Sequence, residues 1–223
     1  MKTALITGIS GQDGGYLAKL LIEKGYKVVG LSRSYRHLEL TNLEYLGISK
    51  EVIVEECDLM DYTRVSNIIK EYKPSEIYNL AAQSSVGISF KQPIGTIRFN
   101  TISLLNILEA VKEIDSSIKV YQASSSEMFG KVEELPIKEN TPLQPLSPYA
   151  VSKASAHFIA QNYRHSYNLF VSCGILFNHE SYLRSKNFFV KKVITECIKI
   201  SKGQQDKLVV GNIDIKRDFG YAP

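Results

Sequence analysis

Ala4-Leu5-Ile6-Thr7-Gly8-Ile9-Ser10-Gly11-Gln12-Asp13-Gly14, near the amino terminus, decides the fold. Its first four residues are an apolar run that stops at a glycine. Preceded by a single lysine, the run is too short for a secretory leader and reads as a buried first strand. Gly8, Gly11 and Gly14 follow in GxxGxxG spacing where helical periodicity begins. Glycine allows the tight turn and the close approach of backbone to a pyrophosphate, and the N–H groups of a helix N-terminus favour its charge. Such glycines mean little alone. Between a first strand and a first helix they predict a dinucleotide-binding turn of Gly8, Ile9, Ser10, Gly11, Gln12, Asp13 and Gly14.

Outward from that turn, apolar runs at 27–31, 52–54, 76–80, 119–123, 170–175 and 207–210 alternate with helical spacing. The helical stretches are 14–24, 62–72, 101–114, 149–167 and 187–202. This alternation predicts βαβ units, and right-handed crossovers then give a doubly wound parallel sheet. The strands are apolar throughout rather than alternately, as strands buried on both faces are. We expect an α/β Rossmann domain over 1–177 and 205–223, with 178–204 contributing to a smaller substrate lobe. The chain closes on Gly220-Tyr221-Ala222-Pro223 without a further helix, so the rest of that lobe is expected to lie outside it. Residues 32–50 form the one long irregular connection, with Arg33, Arg36 and His37 at its start. A loop of that length in a compact domain is usually functional or mobile.

The 223 residues are 44% hydrophobic and 22% charged, ordinary for a globular chain with one large core. No apolar run approaches the roughly 20 residues of a bilayer span, so no membrane association is expected. The net charge of +4 is spread without a dense basic stripe. That disfavours a nucleic-acid partner and suits a small polyanion such as a nucleotide. Cys57, Cys173 and Cys197 have neither metal-ligand spacing nor a CxxC pair. They are expected to be reduced structural thiols in a cytoplasmic protein, with no metal site.

The second strand ends Gly30-Leu31-Ser32-Arg33-Ser34, without the acidic residue that holds the ribose hydroxyl of NAD. Arg33 stands where a guanidinium would meet a 2′-phosphate, so NADP is the expected cofactor. Asp58 and Leu59 after the third strand are expected near the adenine. Leu80, Ala81, Ala82, Gln83 and Ser84 after the fourth are small or polar residues where the cofactor passes close to the backbone. All fall at strand C-termini, where open α/β sheets bind ligands.

Tyr149 and Lys153 form YxxxK behind Ser147-Pro148. Residues four apart share a helical face, so an ammonium sits beside a phenol and favours its ionised form, which makes Tyr149 a candidate general base. The preceding strand ends Ser124-Ser125-Ser126-Glu127. A hydroxyl at Ser125 can hydrogen-bond the substrate oxygen that Tyr149 deprotonates. Glu127 separates two chemistries, because hydride transfer needs only tyrosine, lysine and a hydroxyl, whereas eliminating water needs a second acid/base. Other readings are an epimerase, reductase or different dehydratase acting on nucleotide sugars, or a non-catalytic NADP-binding module. Such modules tend to lose the YxxxK tyrosine.

Together with these motifs, Gln122 to Gly130, Ser147-Pro148-Tyr149-Ala150, Gly174-Ile175-Leu176-Phe177-Asn178-His179-Glu180-Ser181 and Lys216-Arg217-Asp218-Phe219-Gly220 resemble the GDP-mannose 4,6-dehydratase family. The resemblance implies an NADP-dependent extended short-chain dehydrogenase acting on GDP-mannose. Tyr149 would deprotonate the C4 hydroxyl as C4 is oxidised, and Glu127 would abstract the C5 proton. Glu127 or Ser125 would protonate the departing C6 hydroxyl, and hydride would return to C6. It also implies that His179 and Arg184 contact cofactor, that Ser84, Ser125 and Asn178 contact substrate, and that the protein is a homo-oligomer, dimer or tetramer. Three features depart from the family pattern. Ser125 replaces a threonine, Arg33 stands without an adjacent second arginine, and Tyr182-Leu183 replace proline and arginine before Arg184.

Overall fold

A computed structural model describes residues 1–34 and 40–223, which leaves Arg36 and His37 outside the described residues. Six strands build the main sheet: β1 (Thr3–Thr7), β2 (Lys27–Ser32), β3 (Val52–Glu56), β4 (Glu76–Asn79), β5 (Lys119–Ser125) and β6 (Val171–Leu176). All pair in parallel, in the order β3-β2-β1-β4-β5-β6. The chain therefore winds one way from β1 to β3 and the other way from β4 to β6. The crossovers diverge between β1 and β4, which opens a crevice at the carboxyl ends of those two strands.

Helices α1 (Gln12–Glu23), α2 (Thr41–Tyr45), α3 (Tyr62–Tyr72), α4 (Val86–Lys91), α5 (Pro93–Ile114) and α6 (Pro148–Tyr167) accompany these strands. Neighbouring residues of β1 point to opposite faces and both faces are dry. Leu5 joins Ile68, Ile69, Leu104, Ile107 and Leu108 on one side. Ala4 and Ile6 join Ile9, Ala18, Leu21, Val28 and Leu43 on the other. Gly174 in β6 makes room for Tyr121 of the neighbouring strand, since a Cβ there would stand 1.9 Å from the Tyr121 hydroxyl.

Three elements differ from the sequence expectation. α5 starts at Pro93 rather than near residue 101, because Pro93 takes the first helical position, where a missing N–H is harmless. Its buried face there is polar, with Thr96, Asn100 and Ser103 all under 5% exposed, which hides the apolar repeat. The 32–50 connection contains α2. Residues 207–210 form no strand, and Val209 is 64% exposed.

The chain divides into two compact units, Met1–Leu176 and Phe177–Pro223. The second holds α7 (Phe189–Ser201) and a two-stranded parallel sheet of β7 (Asn178–Glu180) and β8 (Phe219–Tyr221). Residues 205–223, expected in the dinucleotide-binding domain, therefore belong with 177–204. Their pairing partner is β7 rather than the main sheet, and Lys192 of α7 donates to the Val209 carbonyl at 2.7 Å.

Candidate active site

At the end of β1 the turn is set by its glycines. Gly8 has a φ of 72°, and a Cβ there would lie 3.0–3.1 Å from backbone atoms of Leu80 and Ala81. A Cβ on Gly14 would lie 2.3 Å from the Gly8 carbonyl oxygen. Gly11 caps α1 with extended backbone and no side-chain acceptor. A cradle walled by backbone, at a helix N-terminus without a side-chain cap, fits a pyrophosphate. Within it Ile9 is fully buried and serves the core. Ser10 is exposed, and the Gln12 amide donates to Asp13 Oδ1 at 3.1 Å.

A buried polar ladder runs beneath this turn. Thr7 Oγ1 donates to Asn79 Oδ1 at 2.8 Å and accepts from the N–H groups of Leu80 and Ala81 at 3.0 and 2.9 Å. Asn79 Nδ2 donates to Gln122 Oε1 at 2.7 Å. The three residues are opposite one another in the β1–β4–β5 register, so the ladder ties three strand ends together. Buried polar groups satisfied this fully rigidify a site.

The remaining cofactor candidates lie along the same edge. Arg33 is exposed directly after β2. Asp58 is exposed and accepts from Met60 N at 3.0 Å. Leu59 is a core residue, 4% exposed, whose carbonyl is held by Asn106. Leu80, Ala81 and Ala82 are half-buried, and Ser84 is exposed. Gln83 is clamped by Asn100, which accepts from its N–H at 2.8 Å and donates to its carbonyl at 3.2 Å. Asn100 also donates to Ser152 Oγ at 2.9 Å, and Ser152 donates to the Tyr149 carbonyl at 2.6 Å. The loop after β4 is thereby fastened to the first turn of α6.

α6 begins at Ser147, whose hydroxyl accepts from Ala150 N at 3.1 Å, and at Pro148 in the first turn. That start puts Tyr149 and Lys153 against β5 and the single 3₁₀ turn Ser126–Phe129 that follows it. Tyr149 is 8% and Lys153 5% exposed. Lys153 Nζ donates to the Ala123 carbonyl at 2.9 Å and lies 5.9 Å from the Tyr149 ring centre. Burial pulls its pKa down to about 8, so it is cationic at neutral pH. Ser125 is 7% exposed, and its Oγ accepts from Glu127 N at 3.3 Å. Glu127 is half-buried on the same strand end. Ser125, Glu127, Tyr149 and Lys153 are thus carried by two packed elements of the first unit.

Asn178, His179 and Arg184 belong to the second unit. Asn178 Nδ2 donates to the Asp218 carbonyl at 3.3 Å, and His179 Nδ1 to that of Phe177 at 2.7 Å. Arg184 pairs with Glu180 at 3.4 Å and lies 3.6 Å over the Phe188 ring. Beside it Tyr182 is exposed and Leu183 buried. Sequence reasoning missed Thr7, Asn79, Asn100 and Ser152. Their signal was polar residues at positions the apolar pattern assigns to the core. All three cysteines are free thiols, and burial raises that of Cys57 to about 11. Among the described residues no helix is long and apolar enough to cross a membrane.

The strand order, the glycine cradle and the Tyr149–Lys153 pair on a helix packed against Ser125 define a short-chain dehydrogenase/reductase type of protein. Solved structures agree. A UDP-N-acetylglucosamine 4-epimerase from Methanobrevibacter ruminantium superposes with TM-score 0.85 at 27% identity, over 99% of this chain and 69% of that one. A Thermus thermophilus UDP-glucose 4-epimerase complex with NAD gives TM-score 0.84 at 26% identity, over 99% and 70%. The profile of the family described as GDP-mannose 4,6 dehydratase matches residues 5–223, and the chain belongs to that family. Similar relatives are the GDP-mannose 4,6 dehydratases of Cricetulus griseus (46% identical, over 99% of this chain and 62% of that protein) and Homo sapiens (46%, over 98% and 61%). The chain spans about three fifths of the length of these curated relatives.

Proposed function

We propose that the protein is a hydro-lyase converting GDP-D-mannose to GDP-4-dehydro-6-deoxy-D-mannose, with NADP as a cofactor recycled in each turnover. The observation that carries this is Glu127, a half-buried carboxylate two residues beyond Ser125 on the strand end packed against the Tyr149 helix. An epimerase or ketoreductase needs no second acid/base there. A non-catalytic binding module needs no buried Tyr149–Lys153 pair. Family membership and 46% identity to two named GDP-mannose 4,6 dehydratases support the substrate.

The cradle of Gly8, Gly11 and Gly14 fits a dinucleotide pyrophosphate, and Arg33 would meet the 2′-phosphate that distinguishes NADP. Arg184 and His179 would contact the same cofactor. Bound there, the nicotinamide supplies a hydride acceptor and donor. Tyr149 takes the proton of the C4 hydroxyl, aided by the Lys153 charge, while Ser125 donates a hydrogen bond to that oxygen. The C4 ketone acidifies the neighbouring C–H, and Glu127 removes the C5 proton. The C6 hydroxyl then departs as water, protonated by Glu127 or Ser125, and C6 would regain the hydride as C5 regains a proton, which closes the cofactor cycle. Ser84 and Asn178 orient the sugar. The same family membership supports a homo-oligomer.

The test offers GDP-mannose, UDP-glucose and dTDP-glucose separately to the intact protein, with NADP or NAD, and follows product mass. Loss of one water from GDP-mannose alone, with NADP preferred and no reduced cofactor accumulating, is the expected outcome. Unchanged mass of GDP-mannose would sink the proposal.

A further inference from the structure

Behind the strand end that carries Ser125 and Glu127 lies a row of polar side chains for which the proposed reaction has no use. His157 stands on α6 one turn beyond Lys153 and two beyond Tyr149. Its Nδ1 is 3.0 Å from Ser124 Oγ and its Nε2 is 3.0 Å from Gln161 Nε2. An amide nitrogen can only donate, so the Gln161 amide engages the Nε2 lone pair, and the imidazole carries its proton on Nδ1. His157 is therefore the donor to Ser124. The Ser124 hydroxyl that receives it is 2% exposed. Burial and the Arg164 guanidinium hold the His157 pKa below the usual histidine value, which keeps the ring neutral and its bond to Ser124 intact near pH 7.

Consecutive residues of β5 are thus fastened to consecutive turns of α6. Lys153 holds the carbonyl of Ala123 and His157 holds the side chain of Ser124. The next residue along the strand is Ser125. We propose that His157 is a positioning residue, which by locking Ser124 fixes Ser125 and Glu127 relative to Tyr149. Its effect on turnover rests on the roles given above to those three groups. Misplacing reacting groups by 1 Å can lower a rate about 100-fold, so partial release of one hydrogen bond is expected to lower kcat about tenfold.

Three variants of the intact protein separate this bond from packing. His157→Asn puts an amide N–H where Nδ1–H stood, His157→Gln moves it toward the Nε2 position, and His157→Phe keeps bulk alone. We expect kcat to fall about tenfold in the Phe and Gln variants with KM unchanged, and the Asn variant to keep at least about a third of wild-type kcat. Two readouts do not depend on turnover. Long-range proton–nitrogen spectra, simple to assign with four histidines in the chain, are expected to show the Nδ1–H tautomer for His157. Hydrogen exchange over 124–129 is expected to quicken in the Phe and Gln variants and not in the Asn variant. An Nε2–H tautomer, or an Asn variant as impaired or as fast-exchanging as the Phe variant, overturns the proposal. If no nucleotide sugar reacts, the proposed function fails, and the tautomer and exchange still decide whether His157 positions the strand end.

Discussion

Lys153 shows how the site trades stability for chemistry. It is an ammonium with 5% exposure that donates to the backbone carbonyl of Ala123, and its pKa of about 8 lies below the value near 10.5 of an unfolded lysine. Between those values the unfolded chain holds the additional proton, so stability rises as pH climbs from about 8 to about 10.5; below 8 the penalty stays at its full size. We predict that Lys153→Met raises the stability of the cofactor-free protein at pH 7 by on the order of 1 kcal/mol or more while abolishing turnover. Calorimetry should show the advantage shrinking toward pH 10.5, and an unstabilised variant at pH 7 would contradict it. Glu127→Gln is expected to leave dinucleotide affinity unchanged and to lower water elimination roughly 10²–10⁴-fold, as loss of a positioned acid/base does. Product mass and a fluorescence titration with NADPH measure the two effects. Tyr149, Lys153, Ser125 and Glu127 were legible because their spacing is local. Thr7, Asn79, Gln122, Asn100 and His157 were not, because each finds its partner tens of residues away, and only strand order brings them together.

Among elements, the β1–α1 unit was read correctly from periodicity and glycine spacing, and its tolerance to change follows from its contacts. A methyl group on Gly14 meets the Gly8 carbonyl oxygen at 2.3 Å, whereas one on Gly11 meets it at 3.2 Å and touches nothing nearer. Gly14→Ala is therefore expected to destabilise the fold by about 2 kcal/mol or more and to abolish dinucleotide binding. Gly11→Ala should lose much less stability. Urea midpoints of the two variants check the order, and equal midpoints would refute it. α5 was half legible. Its second half shows a regular apolar repeat, but Thr96 and Asn100 spend the first half on hydrogen bonds to Gln83, which erases the hydrophobic signal there. The apolar run at 207–210 misled for the opposite reason, since short apolar stretches lie on surfaces as well as in sheets.

At the scale of the molecule, the two units differ in kind. The first buries both faces of its sheet, whereas no residue of α7 in the second is buried, and β8 is exposed along its length. Amide protection follows burial and backbone bonding. In this chain, backbone exchange is predicted to be slowest in β1, β4 and β5 and much faster over 177–223, and peptide-level mass spectrometry would refute this with uniform protection. The doubly wound first unit was readable because alternation of strands and helices leaves few topologies. The place of residues 205–223 was not, because β8 finds its strand partner in β7, some forty residues back along the chain. The contact between Gly174 and Tyr121 carries a historical consequence. Three atoms of the phenol lie 1.9–2.8 Å from where a Cβ would stand, so alanine at 174 forces the Tyr121 side chain to move. A smaller residue at 121 removes that cost. A lineage thus reaches the double change most easily by shrinking position 121 first, and a mutational library of both sites should recover alanine at 174 more often in that genetic background.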